Sequence, residues 1–261
     1  MFGKLFKKKE VKEDISVSNH SDFKMRDTRK SKDYFLNKLQ ITDENVSRIL
    51  KIHDSNIKAN NQKGLDVTNF CLSEVLFSYP ETWYSIGKKI DESWIMLYSN
   101  YFPCFLNSIG ENNIYQNIIK ILSIGVLLNI EDEYFIRLSS KLKEVKYQDS
   151  FIDFLVNSRC SQHKVSEKIL FRKYIACETL SKLSQLQGQE AIDLINIYLN
   201  KYFYTKESIG REFNSHKQAN NMYNGYWAWE IAAIVKIKQL NDSSLKENPY
   251  YPYDIVHWNN I

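Results

Sequence analysis

Apolar residues return at three- and four-residue intervals along most of this chain, the spacing that stacks side chains on one helical face. From Met25 onward the pattern reads as a succession of helices. Residues 31–39 and 43–60 carry Phe35 and Leu39, then Val46, Ile49 and Leu50, with Thr42 placed to cap the second of the two. Gly64 reads as the end of that hairpin, and 66–77 as a further helix stopped by Pro80. Residues 114–130 are apolar nearly all round (Ile118, Ile121, Leu122, Leu127, Leu128), which marks a helix enclosed by others. The pattern pauses over 143–149 and resumes at 151–156 and 169–186. After a break at Gly188, the cleanest amphipathic segment places Ala191, Leu194, Ile195, Tyr198, Leu199 and Tyr202 at i, i+3, i+4, i+7, i+8 and i+11. A polar loop over 206–221 leads through Gly225 to a helix expected at 226–240. Its Trp227, Ile231, Ala232, Ile234, Val235 and Ile237 cover most of the surface. No hairpin-turn pair and no period-two segment of useful length interrupts the series.

The pattern predicts an all-α fold of two packed helical modules made of antiparallel helix pairs. The expected divisions are a mobile basic tail at 1–24, an N-terminal module at 25–145 and a C-terminal module at 146–261. Composition agrees: 8 Gly and 4 Pro among 261 residues leave few punctuators, so elements run long. The formal net charge of +4 is half accounted for by the tail, where Lys4, Lys7, Lys8, Lys9, Lys12 and Lys24 face Glu10, Glu13, Asp14 and Asp22. The nearly neutral remainder makes no field that would gather nucleic acid. Phe2, Leu5 and Phe6 are too few to anchor the tail on a membrane, and it reads as a solvated terminus without a signal-peptide core. The longest uncharged run, 93–110, holds Asn100, Pro103 and Asn107, and reads as a buried helix pair broken at the proline rather than a membrane span. Cys71, Cys104, Cys160 and Cys177 are scattered without a CxxC pair, which suits free thiols in a reducing cytoplasm.

Chemistry is sparse. His20, His53, His163, His216 and His257 lie far apart, with no HExxH and no ligand-spaced cysteine, so no metal is expected. Eight dispersed glycines make neither a Walker loop nor GxGxxG, and no GxSxG elbow occurs, so no cofactor is expected. Cys160 and His163 form an i, i+3 pair without a visible orienting acid. Arg26, Arg29, Lys30 and Lys32 are interrupted by Asp27 and Asp33, which suits a solvated helix face better than a phosphate track. Glu131, Asp132 and Glu133 open a helix, where the helix dipole favours acids. Glu230, in an apolar helix, needs a partner, and Asp254 follows Tyr250-Tyr251-Pro252-Tyr253. With His216 or His257 the two acids could form a hydrolase-type acid/base pair. The alternative is that each accepts hydrogen bonds from tyrosine hydroxyls, backbone N–H groups, His216 or Lys217. Asp242-Ser243-Ser244 reads as a helix stop with a local cap, and Pro249 and Pro252 fix a turn whose tyrosines lock the chain end onto its module.

Tyr223-Asn224-Gly225-Tyr226-Trp227, with Glu230, Asp242-Ser243-Ser244 and Pro249-Tyr250-Tyr251-Pro252-Tyr253-Asp254, resembles the C-terminal signature of PoNi-type immunity proteins. These protect bacteria against polymorphic DNase toxins of the PoNe type, delivered by contact-dependent or type VI secretion. Ser215-His216-Lys217, residues 191–202, Met25-Arg26-Asp27, Asp33-Tyr34-Phe35 and 122–135 extend the likeness, while 1–24 has no counterpart in it. Ala228-Trp229 stands where a small polar residue and Phe would be expected. The resemblance implies a non-catalytic helical protein that binds its cognate nuclease toxin, blocks the active site or DNA path, and makes no direct contact with nucleic acid. Residues shared by a family cannot distinguish one toxin from another. Gly225, Tyr226, Trp227, Glu230, Asp242, Ser243, Ser244, Pro249, Tyr250, Pro252 and Asp254 are therefore expected to be scaffold. A DNase cleft is basic, so Glu131, Asp132 and Glu133 are the expected toxin contacts. A helical scaffold for another host protein is a further reading.

Overall fold

The computed structural model describes residues 24–110, 115–206 and 213–258. The tail expected at 1–24 lies, apart from Lys24, outside them. The all-α class holds: among the described residues there are helices and no strand. By packing, the chain forms two compact units.

The first unit runs through Ile109 and takes in Ser215–Gly225. Helix α1, Lys32–Lys58, is continuous where two helices were expected, and starts at Ser31, whose side chain accepts the Tyr34 N–H at 3.2 Å. Thr42 caps nothing; its hydroxyl donates back to the Lys38 carbonyl at 2.8 Å, a bond that an unbroken helix accommodates. Gly64 does not end a hairpin but sits in the first turn of α2, Gln62–Ser73, where the Asn61 side chain accepts its N–H at 3.1 Å. Helix α3, Val75–Ile86, contains Pro80, and α4, Glu92–Ser108, contains Pro103. Neither proline stops its helix. A proline inside a helix costs about 3 kcal/mol, but burying one large apolar side chain returns about 1.5–3 kcal/mol. Leu76, Phe77, Trp83 and Tyr84 of α3, and Trp94, Leu97, Phe102 and Phe105 of α4, are all buried.

Residues of the Ser215–Gly225 segment lie as a strap on this unit. The Tyr34 hydroxyl donates to the Tyr223 carbonyl and accepts the Tyr223 N–H, both at 3.0 Å. Asp27 accepts from the Tyr223 hydroxyl, Lys38 donates to the Asn221 carbonyl, and the Ser85 hydroxyl donates to the Asn224 carbonyl at 2.7 Å. The strap ends at Gly225, whose φ of 133° excludes a side chain without strain.

The second unit comprises Gly110–Asn214 and Tyr226–Ile261. Its helices are α5 Tyr115–Leu128, α6 Asp132–Glu144, α7 Ser150–Asn157, α8 Ile175–Leu183, α9 Gly188–Ile197, α10 Trp229–Lys238 and α11 Tyr253–His257. A π-turn, Tyr198–Tyr202, prolongs α9, and residues 169–174, expected to be helical, belong to a loop. The all-round apolar α5 packs against α7 and α10, so the division by packing does not run through the 143–149 pause. Two lysines in the last turn of α10 reach the carbonyl ends of other helices: Lys236 Nζ donates to Leu127 and Lys238 Nζ to Ser184, at 2.8 and 2.9 Å. Cations there complement the negative end of a helix. The α10 helix begins three residues later than expected because the Ala228 N–H donates across to the Tyr250 carbonyl at 2.8 Å.

Candidate functional site

The opening of α6 carries the acidic trio. Asn129, with φ of 53°, turns the chain out of α5. Glu131 is the N-cap without a side-chain cap bond, and Asp132 and Glu133 occupy the first turn. All three are exposed. Asp132 accepts from Arg159 Nε at 2.7 Å, and the same guanidinium donates to Asn129 Oδ1 at 3.0 Å and the Ile130 carbonyl at 2.8 Å. It also lies 5.5 Å over the Phe135 ring. Arg159 thus fixes the α5–α6 turn and pairs with one of the three carboxylates. The Glu131 and Glu133 carboxylates have no ion-pair partner among the described residues.

The signature residues lie mostly in the interior. Tyr226, Trp227 and Glu230 are buried, and Glu230 accepts from the Tyr198 hydroxyl at 2.8 Å. The Tyr250 ring sits 5.1 Å from Phe203 and 5.5 Å from Tyr204. Pro252 is buried, while Pro249, Ser243 and Ser244 are exposed. Asp242, expected as a local cap, instead aims its buried carboxylate at the Tyr251 hydroxyl (2.6 Å) and His257 Nε2 (3.0 Å). The reason is burial: a carboxylate in the interior needs stronger donors than one turn of backbone supplies.

The residues of the acid/base reading sit in different surroundings. Glu230 is 2% exposed and held by Tyr198, whereas Asp254 is exposed in the first turn of α11. His257 belongs to Asp242. His216 lies in the strap, its ring 5.8 Å from Tyr223. Burial first, then Arg29 and Lys217, hold its pKa below the usual value.

One cluster left no local signature. His163 Nε2 shares a hydrogen bond with Asp153 Oδ1 at 2.8 Å, and His163 Nδ1 shares one with the Ser139 hydroxyl at 2.7 Å. Asp153 Oδ2 also accepts the Ser166 N–H and hydroxyl at 3.0 and 2.6 Å. So His163 does have an orienting acid, but its other nitrogen meets Ser139, not Cys160. The order serine–histidine–carboxylate is that of a nucleophilic triad. Here, however, all three side chains are buried, Ser139 and Asp153 at 2% exposure and His163 at 5%, which closes the serine to a substrate. What the network does is pin residues 158–174. Asp149 does the same from α7. Its Oδ1 accepts the Phe151 and Ile152 N–H groups, its Oδ2 accepts that of Leu170 at 3.0 Å, and the Lys168 carbonyl accepts the Ser150 N–H at 2.7 Å. Burial raises the Asp149 pKa against the pull of those three donors.

Among the described residues no three His, Cys, Asp or Glu side chains converge as metal ligands. The four cysteines are free thiols, and burial pushes that of Cys104 up to about 11.

The structure of protein PA2201 from Pseudomonas aeruginosa superposes with a TM-score of 0.62 over 91% of each chain at 16% identity, a likeness of fold. No curated protein matches the chain. The family model described as PoNe immunity protein (PoNi), N-terminal, matches residues 26–140, and that for PoNe immunity proteins (PoNi), C-terminal, matches 147–255. With both halves matched in order, the chain belongs to the PoNe immunity protein family, whose members neutralise toxins.

Proposed function

We propose that this chain binds a cognate antibacterial DNase toxin in the cytoplasm and covers its active site or DNA path without chemistry of its own. The observation that carries the reading is the pair of family matches, 26–140 and 147–255. The buried state of Tyr226, Trp227, Glu230 and Asp242 supports a scaffold role for the signature. Delivery of the toxin by type VI or contact-dependent secretion, and helical modules at 25–145 and 146–261, belong to the same proposal.

Glu131 and Glu133 are the acids free to meet a basic nuclease surface, while Asp132 is engaged with Arg159. Tight inhibition needs about 1,600 Å² of interface with a few anchoring side chains, so two carboxylates steer and align rather than supply the affinity. Co-expression with the toxin gene adjacent to its own is expected to preserve growth and intact chromosomal DNA. Degraded DNA, with no complex on gel filtration, rejects the function. The Glu131→Lys/Glu133→Lys variant is expected to slow association roughly tenfold at low salt. Association at the wild-type rate would remove Glu131 and Glu133 from the interface.

A further inference from the structure

Between α7 and α8 the chain runs through residues 158–174 without a helix. Ordered loops of this length are uncommon inside a packed module and, where rigid, generally carry function. Rigidity is built in here. Asp149 and Asp153, 1% and 2% exposed, direct their carboxylates to Leu170 and Ser166 of the loop, and His163 ties it to α6 through Ser139. The donors gathered on each carboxylate offset the cost of burying it, so the loop is held where they place it.

What that conformation turns outward is positive. Lys164, Lys168, Arg172 and Lys173 are exposed, with Glu167 as the acid among them. Lys143 and Lys146 are exposed at the end of α6 and in the turn leading to Asp149, the residue that bonds the loop at Leu170. Lys143, Lys146, Lys164, Lys168 and Arg172 have no ion-pair partner among the described residues, and the Lys173 ammonium lies 4.9 Å from the Tyr174 ring centre. Val165 and Ile175, 47% and 54% exposed, stand among these cations. Unpaired like charges on a fixed frame repel one another, and an approaching negative surface relieves that repulsion.

We propose that loop 158–174, with Lys143 and Lys146, is a docking surface for an acidic face of the toxin protein. The proposal rests on the immunity reading. Exposed Val165 in the loop and Ile175 at the start of α8 add apolar contact area to the charged groups, a combination that protein interfaces use. The loop's aromatic rings do not form a stacking platform for bases: Phe171 packs against Tyr115 at 4.8 Å and Tyr174 at 6.5 Å. Partner contact therefore falls on both charge signs of this unit, with Glu131 and Glu133 meeting basic groups and the loop meeting acidic ones.

The test titrates purified, catalytically inactive product of the adjacent toxin gene against the full chain and its Lys164→Glu/Lys168→Glu/Arg172→Glu variant, at two salt concentrations. The three side chains are exposed, so thermal melting is expected to be unchanged; if it is not, the Lys164→Gln/Lys168→Gln/Arg172→Gln variant takes its place. The expected result is affinity lowered roughly tenfold or more, with weaker salt dependence than the wild type. Equal affinity for wild type and variant overturns the inference while leaving the immunity reading intact. Failure of the wild type to bind or protect overturns both. A wild-type chain that retards duplex DNA, with loss of retardation in the variant and unchanged toxin binding, assigns the patch to nucleic acid and likewise overturns it.

Discussion

Glu230 was readable in the sequence as a buried acid in need of a donor, but not which donor, because Tyr198 lies on another helical turn far along the chain. Tyr198→Phe removes that hydroxyl and is expected to lower stability by about 1.5–3 kcal/mol, read by chemical denaturation, with toxin binding retained once the protein is folded. A loss of binding without a loss of stability would move Glu230 out of the scaffold. His53 gives a pH dependence. It is buried, shares a hydrogen bond with the Thr68 hydroxyl at 2.7 Å, and has its pKa lowered by burial, against a smaller opposing pull from Asp54. The unfolded chain therefore takes up the proton first. The contribution is fully present above the ordinary histidine value of about 6.5 and diminishes as pH falls below it. Melting temperatures from pH 8 to pH 5.5 should fall less steeply in His53→Gln than in the wild type, and parallel curves would contradict this.

At the scale of elements, periodicity located α5 almost to the residue, because an all-round apolar run has only one stable environment. Local punctuation misled where burial outweighed it, as at Thr42, Pro80 and Pro103, each inside a helix whose neighbours are packed. The loop 158–174 was invisible for the opposite reason. Its order comes from Asp149, Asp153 and Ser139, which no local pattern connects to it. Asp153→Ala leaves His163 and Ser166 without their acceptor, and is expected to cost about 2–4 kcal/mol. It should also raise hydrogen exchange over 158–174 more than in α5 or α10. Exchange unchanged in the loop would show that the carboxylate is not its anchor.

At the scale of the molecule, two partitions of the same chain differ. The family matches, 26–140 and 147–255, fall on either side of the expected seam, whereas packing gives α5 and α6 to the second unit and returns Ser215–Gly225 to the first. Sequence separates what is contiguous, and hydrogen bonds do not respect contiguity. A fragment ending at residue 145 lacks the strap residues that meet Tyr34, Asp27 and Ser85, and lacks the α10 helix that encloses α5. It is expected to show neither cooperative melting nor dispersed amide resonances. A folded fragment would mean that the strap is dispensable. The strap also constrains recombination between relatives. A crossover at the midpoint would join the Asp27, Tyr34 and Ser85 clasp of one parent to the Tyr223-Asn224 latch of another, so a viable hybrid must inherit residues 215–225 from the same ancestor as the clasp that holds them.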